Sequence, residues 1–255
     1  MLFDSHAHLN SEKYTSDLDQ VVSRIEEAGL AYVMDVGFDL ESSLLAVSHA
    51  QTYPWCYAAV GCHPHDAKTM DEATLIMFKG LAKKPKVMAI GEIGLDYYYD
   101  HSEREVQRYW FRRQIQLALS IGKPIIIHDR DAHGDVLSIL KEEEAFKTRV
   151  LLHCYSGSKE QAEQYVKLGA TLSIAGPVTY KNAHKLLEVV KAIPIEHLLI
   201  ETDAPYLTPE PFRGRRNEPA YVKYTAEKLA EIKGIPFEEA AHKTAENAKK
   251  FFGIE

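Results

Sequence analysis

Cysteine is scarce in this chain. Three occur in 255 residues, Cys56, Cys62 and Cys154, at irregular spacing. That is too few for a disulfide framework and short of the four thiolates of an all-cysteine metal site. Such usage suits a reducing compartment, so a cytoplasmic location is expected. Long apolar runs are also missing. The tightest, such as Pro124 to Ile127, are strand-sized and far below the roughly 20 residues that cross a bilayer, so no membrane partner is expected. Met1-Leu2-Phe3-Asp4 lacks a basic segment followed by an apolar stretch, and no secretory signal is expected. Positive charge is in deficit: 30 Lys and Arg against 37 Asp and Glu leave a net charge of −7. This excludes a globally basic nucleic-acid binder. It does not exclude an enzyme whose bound divalent cations offset local acidity. G-x-G-x-x-G, the P-loop and G-x-S-x-G are all absent, and Ser156 precedes Gly157 without the elbow pattern, which disfavours nucleotide-cradling folds and a serine hydrolase. With 45% hydrophobic and 26% charged residues, disordered, collagen-like and coiled-coil classes are excluded.

What is present is alternation. Val21 to Gly29, Leu40 to Gln51, Arg104 to Ile121 and Gln161 to Gly169 follow a helical period. Gly29, Gly122 and Gly169 sit where a helix C-terminus favours a left-handed residue. Strands are predicted to end near His8, Gly37, His63, Glu92, His128, His153, Gly176 and Thr202, at intervals of 23 to 36 residues. Each interval holds one strand and one crossover helix. Eight such units predict a (β/α)8 TIM barrel, one domain over residues 1–255, rather than an open sheet with a Gly-rich phosphate loop. Phe237 to Phe252 predicts an additional C-terminal helix.

Functional residues gather at the predicted strand ends. His6 and His8 alternate on one face of the first strand. Glu92 closes Val87 to Gly91, His128 closes Pro124 to Ile127, His153 closes Val150 to Leu152, and Asp203 follows His197 to Thr202. The C-terminal end of barrel strands is where active sites are built. Four imidazoles and two carboxylates are too many for one tetrahedral ion, and they suit two divalent ions sharing a carboxylate.

The strings DSHAHLN, GCHPH, GEIGLDYYYD, IIIHDRDA, LLHCYSG, ETDAPYL and PFRGRRNEP resemble the TatD family of metal-dependent deoxyribonucleases, within the amidohydrolase-type barrel superfamily. The resemblance runs from residue 2 to about residue 220 and implies the (β/α)8 fold and a two-metal site. It implies that His6, His8 and Asp203 hold one ion, that His128 and His153 hold the other, and that Glu92 bridges them where other members of the superfamily use a carbamylated Lys. It also implies that His63 faces the substrate phosphate; by its place there His63 is expected to contact that phosphate or to protonate the leaving group, and Asp203, a ligand next to the bound water, is expected to be the general base.

The expected activity is metal-dependent phosphodiester hydrolysis, of exonuclease type, on DNA that is single-stranded or entered at 3′ ends. Two divalent cations per subunit are expected: magnesium, manganese or zinc. No obligate protein partner is evident. Arg213 and Arg215, with Arg216, lie on the loop after the eighth strand, where barrels often bind phosphate and where Arg forks fit its oxygens. They are substrate candidates beside His63 and His65. Ordinary alternatives stand next to each: a solvated basic turn followed by Asn217 as a helix cap, and a loop histidine bonding the backbone. Tyr97, Tyr98 and Tyr99 could stack on a base, with at least one expected to pack inward. Glu201, on the same face as Asp203, is read as a partner to a histidine or as a buried acid in a network. The rival reading is a metal-dependent hydrolase of small esters, amides or lactones, because fold alone does not fix substrate.

Overall fold

The structure, a computed structural model, describes residues 1–255. Eight strands alternate with helices: β1 (Leu2–Ala7), α1 (Leu18–Glu27), β2 (Leu30–Val36), α2 (Leu40–Thr52), β3 (Cys56–Val60), α3 (Glu72–Leu81), β4 (Val87–Asp96), α4 (Arg104–Ile121), β5 (Ile125–Arg130), α5 (His133–Glu142), β6 (Val150–Leu152), α6 (Lys159–Lys167), β7 (Thr171–Ile174), α7 (His184–Ala192), β8 (Leu198–Ile200), α8 (Val222–Lys233) and α9 (Phe237–Phe252). The sheet runs in sequential order β1 to β8, the topology of a (β/α)8 barrel with an extra helix at its C-terminal end. No helix is long and apolar enough to cross a membrane.

The chain resolves into two compact units, residues 1–35 with 154–255, and residues 36–153. In the first, β1 pairs in parallel with β2, and β7 with β8. Ala7 also bridges Ala204 just past β8, so the first and last strands of the sheet meet there. Helix α9 lies against this end. Phe252 packs its ring 5.9 Å from that of Phe3. Asn247 Nδ2 donates to the carbonyls of Ile195 and Leu198 at 2.7 and 3.0 Å. The helix starts after Pro236 and ends on Gly253 at φ +71°, as its flanking residues dictate.

In the second unit, β3 to β6 are parallel neighbours. Ile125, Ile126 and Ile127 of β5 are all buried, the uniform apolar run of a strand covered on both faces. Helix α2 opens with a reciprocal cap between Asp39 and Ser42. Helix α4 buries Trp110, Phe111, Ile115 and Ala118 and stops at Gly122, φ +67°.

Two strands outrun the expectation. β4 continues four residues past Glu92 and β5 two past His128, because pairing persists through Gly94 with His128, Leu95 with Asp129, and Asp96 with Arg130. Gly94 makes this possible: at φ +149° a Cβ there would stand 1.9 Å from the His128 carbonyl oxygen, so only glycine lets the strands approach.

Candidate functional site

At the end of β1, His6 and His8 turn their rings to one side, as strand alternation requires. Their Nε2 atoms are 3.2 Å apart, and Asp203 Oδ1 lies 3.4 Å from that of His8 and 3.8 Å from that of His6. The backbone holds this convergence. Asp203 N–H donates to the His6 carbonyl at 2.9 Å and His8 N–H to the Ala204 carbonyl at 2.7 Å. Asp203 itself adopts φ +55°, a left-handed conformation that Asp tolerates better than most residues. Fully buried Asp4 accepts from Thr202 N at 2.9 Å and Thr202 Oγ1 at 2.5 Å, which ties the two strand ends side chain to backbone. Burial pushes the Asp4 carboxyl up, with the bonds from Thr202 opposing.

The spacing fits a metal ion. Ligands at about 2.0–2.1 Å in tetrahedral geometry stand ~3.3 Å from one another, close to the three separations seen here. Two imidazole nitrogens and a carboxylate oxygen are also a donor set that zinc and related divalent ions accept.

A second cluster lies at the ends of β4, β5 and β6. Glu92 Oε1 stands 2.8 Å from His128 Nδ1 and 2.7 Å from His153 Nε2, and these nitrogens are 3.4 Å apart. His63 Nε2 reaches the same oxygen at 3.5 Å. Burial works against the Glu92 charge, yet His153, His63 and His128 outweigh it and hold the carboxyl well below the usual range. His128 Nε2 is 3.1 Å from Asp96 Oδ2. Flanked by Asp96 and Glu92, which together hold its pKa above the ordinary value against burial, the ring can give one N–H to each carboxylate; with an ion bound, Nδ1 would lose its proton and Nε2–H would stay on Asp96, the arrangement by which a carboxylate orients a metal-ligating imidazole. Three atoms of this cluster, Glu92 Oε1, His128 Nδ1 and His153 Nε2, therefore converge as a second donor set.

His63 is buried, and burial followed by the neighbouring His128 charge drives its pKa well down. Its Nδ1 accepts from the backbone N–H of His65 at 3.1 Å. The neutral ring thus carries its proton on Nε2, the atom facing the cluster. His65 Nε2 lies 2.9 Å from Asp96 Oδ2, so its ring partners a carboxylate rather than the backbone expected of an ordinary loop histidine.

The basic loop divides. Arg213 and Arg215 are exposed; the Arg213 guanidinium rests over the Tyr180 ring at 4.2 Å. Arg216 is not a solvated turn residue, for its guanidinium forks onto Asp17 at 2.7 and 2.6 Å. Nor is Asn217 a helix cap. It is fully buried and donates to the carbonyls of Thr202 and Tyr206 at 2.9 and 2.6 Å, bracing the segment that carries Asp203. Glu201 is the buried network acid, accepting a hydrogen bond from Ser173. Tyr97 is half-buried rather than packed into the core, donating to Asp135 at 2.5 Å beneath the Arg104 guanidinium, while Tyr98 and Tyr99 stay exposed.

Asp4, Asp96 and Asn217 were not singled out from the sequence as site residues. A signal existed for two of them: Asp4 shares the strand face of His6 and His8, and Asp96 shares that of Glu92 at even spacing. Nothing local marks Asn217, whose partners lie 11 and 15 residues away in sequence.

The chain is similar over its whole length to known proteins. The profile of the family described as TatD related DNase matches residues 3–253. The chain is 51% identical over 254 residues to the uncharacterized metal-dependent hydrolase YabD of Bacillus subtilis, covering 100% of each. It is 34% identical over 259 residues to the 3′-5′ ssDNA/RNA exonuclease TatD of Erwinia amylovora, covering 99% of this chain and 100% of that protein. The crystal structure of the TatD homolog YJJV from Escherichia coli superposes with a TM-score of 0.93 at 29% identity, over 100% of this chain and 98% of the other. The chain belongs to the TatD-related DNase family.

Proposed function

We propose that this protein is a divalent-metal-dependent exonuclease that hydrolyses phosphodiester bonds of single-stranded DNA, entering at 3′ ends. The observation that carries it is the pair of donor sets at strand ends, His6 with His8 and Asp203, and Glu92 with His128 and His153, in a chain of a DNase family. Each set would hold one ion, magnesium, manganese or zinc. When bound, such ions acidify a coordinated water and stabilise charge on phosphoryl oxygens. The few, free cysteines fit work in the cytoplasm, and the family match, unbroken from residue 3 to 253, favours one catalytic domain over the whole chain.

The chain's own residues divide the remaining labour. Asp203, partly open to solvent with 14% of its side chain exposed, takes the proton from the attacking water as general base. His63 donates its Nε2–H to a phosphate oxygen. As a neutral ring it serves as a hydrogen-bond donor rather than as the acid that protonates the leaving group. His65 orients the neighbouring loop through Asp96. Arg213 and Arg215 offer guanidinium forks to phosphates further along the strand.

The test is hydrolysis of end-labelled single-stranded DNA by chelator-stripped protein with magnesium, manganese or zinc restored, beside the Glu92→Ala variant. A metal-dependent ladder absent from the variant is expected, and the label position reports polarity. Intact oligonucleotide with every metal, despite bound metal, would refute the nuclease and favour a small ester, amide or lactone as substrate.

A further inference from the structure

Beyond the ends of β4 and β5 the chain builds a surface that the metal clusters do not use. Tyr98 and Tyr99 are adjacent and 57% and 49% exposed. The Arg130 guanidinium lies 4.1 Å from the Tyr98 ring centre and 4.7 Å from that of Tyr99. His101 stacks on Tyr99 with ring planes 7° apart. Arg130 is exposed, and no carboxylate pairs with it. The neighbouring arginines differ: Asp100 holds Arg104, and Glu105 with Asp135 holds Arg108. A guanidinium held by no carboxylate and lying over two exposed aromatic rings presents aromatic surface and a positive charge together.

This surface is rigidly tied to the second metal-ligand cluster. Asp96 Oδ1 accepts from the backbone N–H groups of Tyr98 and Tyr99 at 3.0 and 2.8 Å, while its Oδ2 meets His128 and His65 at 3.1 and 2.9 Å. Gln107 pins the same turn, accepting from Asp96 N at 2.9 Å and donating to the Ser102 carbonyl at 2.8 Å. Tyr97 N–H donates to the Arg130 carbonyl at 2.9 Å, which fixes Arg130 beside the tyrosines. One carboxylate thus positions both a ligand imidazole and the aromatic turn. Unpaired bases are read by stacking on aromatic rings and guanidinium planes, with phosphates met by basic groups. A base inside a duplex has its faces covered and cannot use such a surface.

We infer that Tyr98, Tyr99 and Arg130 form a stacking subsite for an unpaired nucleobase of the substrate strand, with Arg130 also meeting its phosphate. The inference rests on the reading of single-stranded nucleic acid as substrate. The subsite selects single strands by their exposed base faces rather than by base identity, since every base offers a π-face.

A single experiment separates this subsite from the nuclease reading. Metal-loaded protein is mixed in a stopped-flow instrument with a short single-stranded oligonucleotide carrying 2-aminopurine near its 3′ end. Stacking quenches the probe, and cleavage later releases it and restores fluorescence. The wild type is expected to quench rapidly and then recover. Tyr98→Ala and Tyr99→Ala are each expected to lose most of the quench and to weaken binding about 5- to 150-fold, the equilibrium equivalent of one base–aromatic stack at roughly 1–3 kcal/mol. Tyr98→Phe, which keeps the ring, is expected to quench as the wild type does. Recovery without quench in the wild type, or full quench in both alanine variants, overturns the subsite and leaves the nuclease standing. Quench without recovery supports the subsite and refutes the nuclease. Neither phase refutes both.

Discussion

Asp4 offers the sharpest test of how the site is held. Its carboxylate is fully buried and receives the N–H and hydroxyl of Thr202 at 2.9 and 2.5 Å, just before Asp203. Asp4→Ala removes the longer bond from the His6 N–H at 3.3 Å and leaves both Thr202 donors buried without acceptors. Each costs about 1–3 kcal/mol, and removing a carboxyl that burial disfavours returns part of that, so a net loss of about 3 kcal/mol is expected. For a domain of this size that is a fall in Tm of roughly 6–12 °C. Asp4→Asn should behave differently. The amide has the shape of the acid, keeps an acceptor for Thr202 N–H, and is neutral, as burial favours at this position. Its expected cost is about 1 kcal/mol. The assay is urea and thermal unfolding of metal-free protein, with metal content after reconstitution read by atomic emission. Because Asp4 ties the strand end bearing His6 and His8 to the segment bearing Asp203, Asp4→Ala should also retain less metal than Asp4→Asn. An alanine variant as stable as the wild type within about 0.5 kcal/mol, the ordinary scatter of neutral substitutions, or an asparagine variant as damaged as the alanine one, would refute the clamp.

The other predictions concern the reaction. Glu92→Ala should lower bound metal as well as rate, since it removes the oxygen on which His128 and His153 converge; full metal content by atomic emission would take Glu92 out of the ligand set. Asp203→Asn should cost at least ~10² in turnover on oligonucleotide with metal retained, and near-normal turnover would remove it as the base. Arg213→Ala combined with Arg215→Ala should raise KM on an oligonucleotide more than on a small aryl phosphodiester. Equal effects on the two substrates would show that this loop does not hold the polymer.

The residues legible from the sequence share one property: their position alone is anomalous. A histidine or an acid that ends an apolar strand, as His128 ends Ile125 to Ile127, has no packing reason to be there, so periodicity locates the strand and chemistry names the residue. Helix α9 was legible from its amphipathic period over Phe237 to Phe252, the limits the structure gives it. Asp96 shows where such reasoning stops. The acid Glu92 closing the apolar run Val87 to Gly91 set the expected end of β4, yet Gly94 lets β4 continue past the His128 carbonyl and deliver Asp96 to the His128 ring. Whether a glycine ends a strand or extends it depends on which atom faces its missing Cβ, and that atom belongs to another strand 34 residues away in the chain. Arg216 and Asn217 fail in the same manner. In PFRGRRNEP they look like their neighbours, and only Asp17, 199 residues distant, turns Arg216 from a phosphate candidate into a structural fork. Candidate ligands are therefore legible because a strand end is a local feature. The residues that orient ligands are not, because their work is done across contacts that only the folded chain creates.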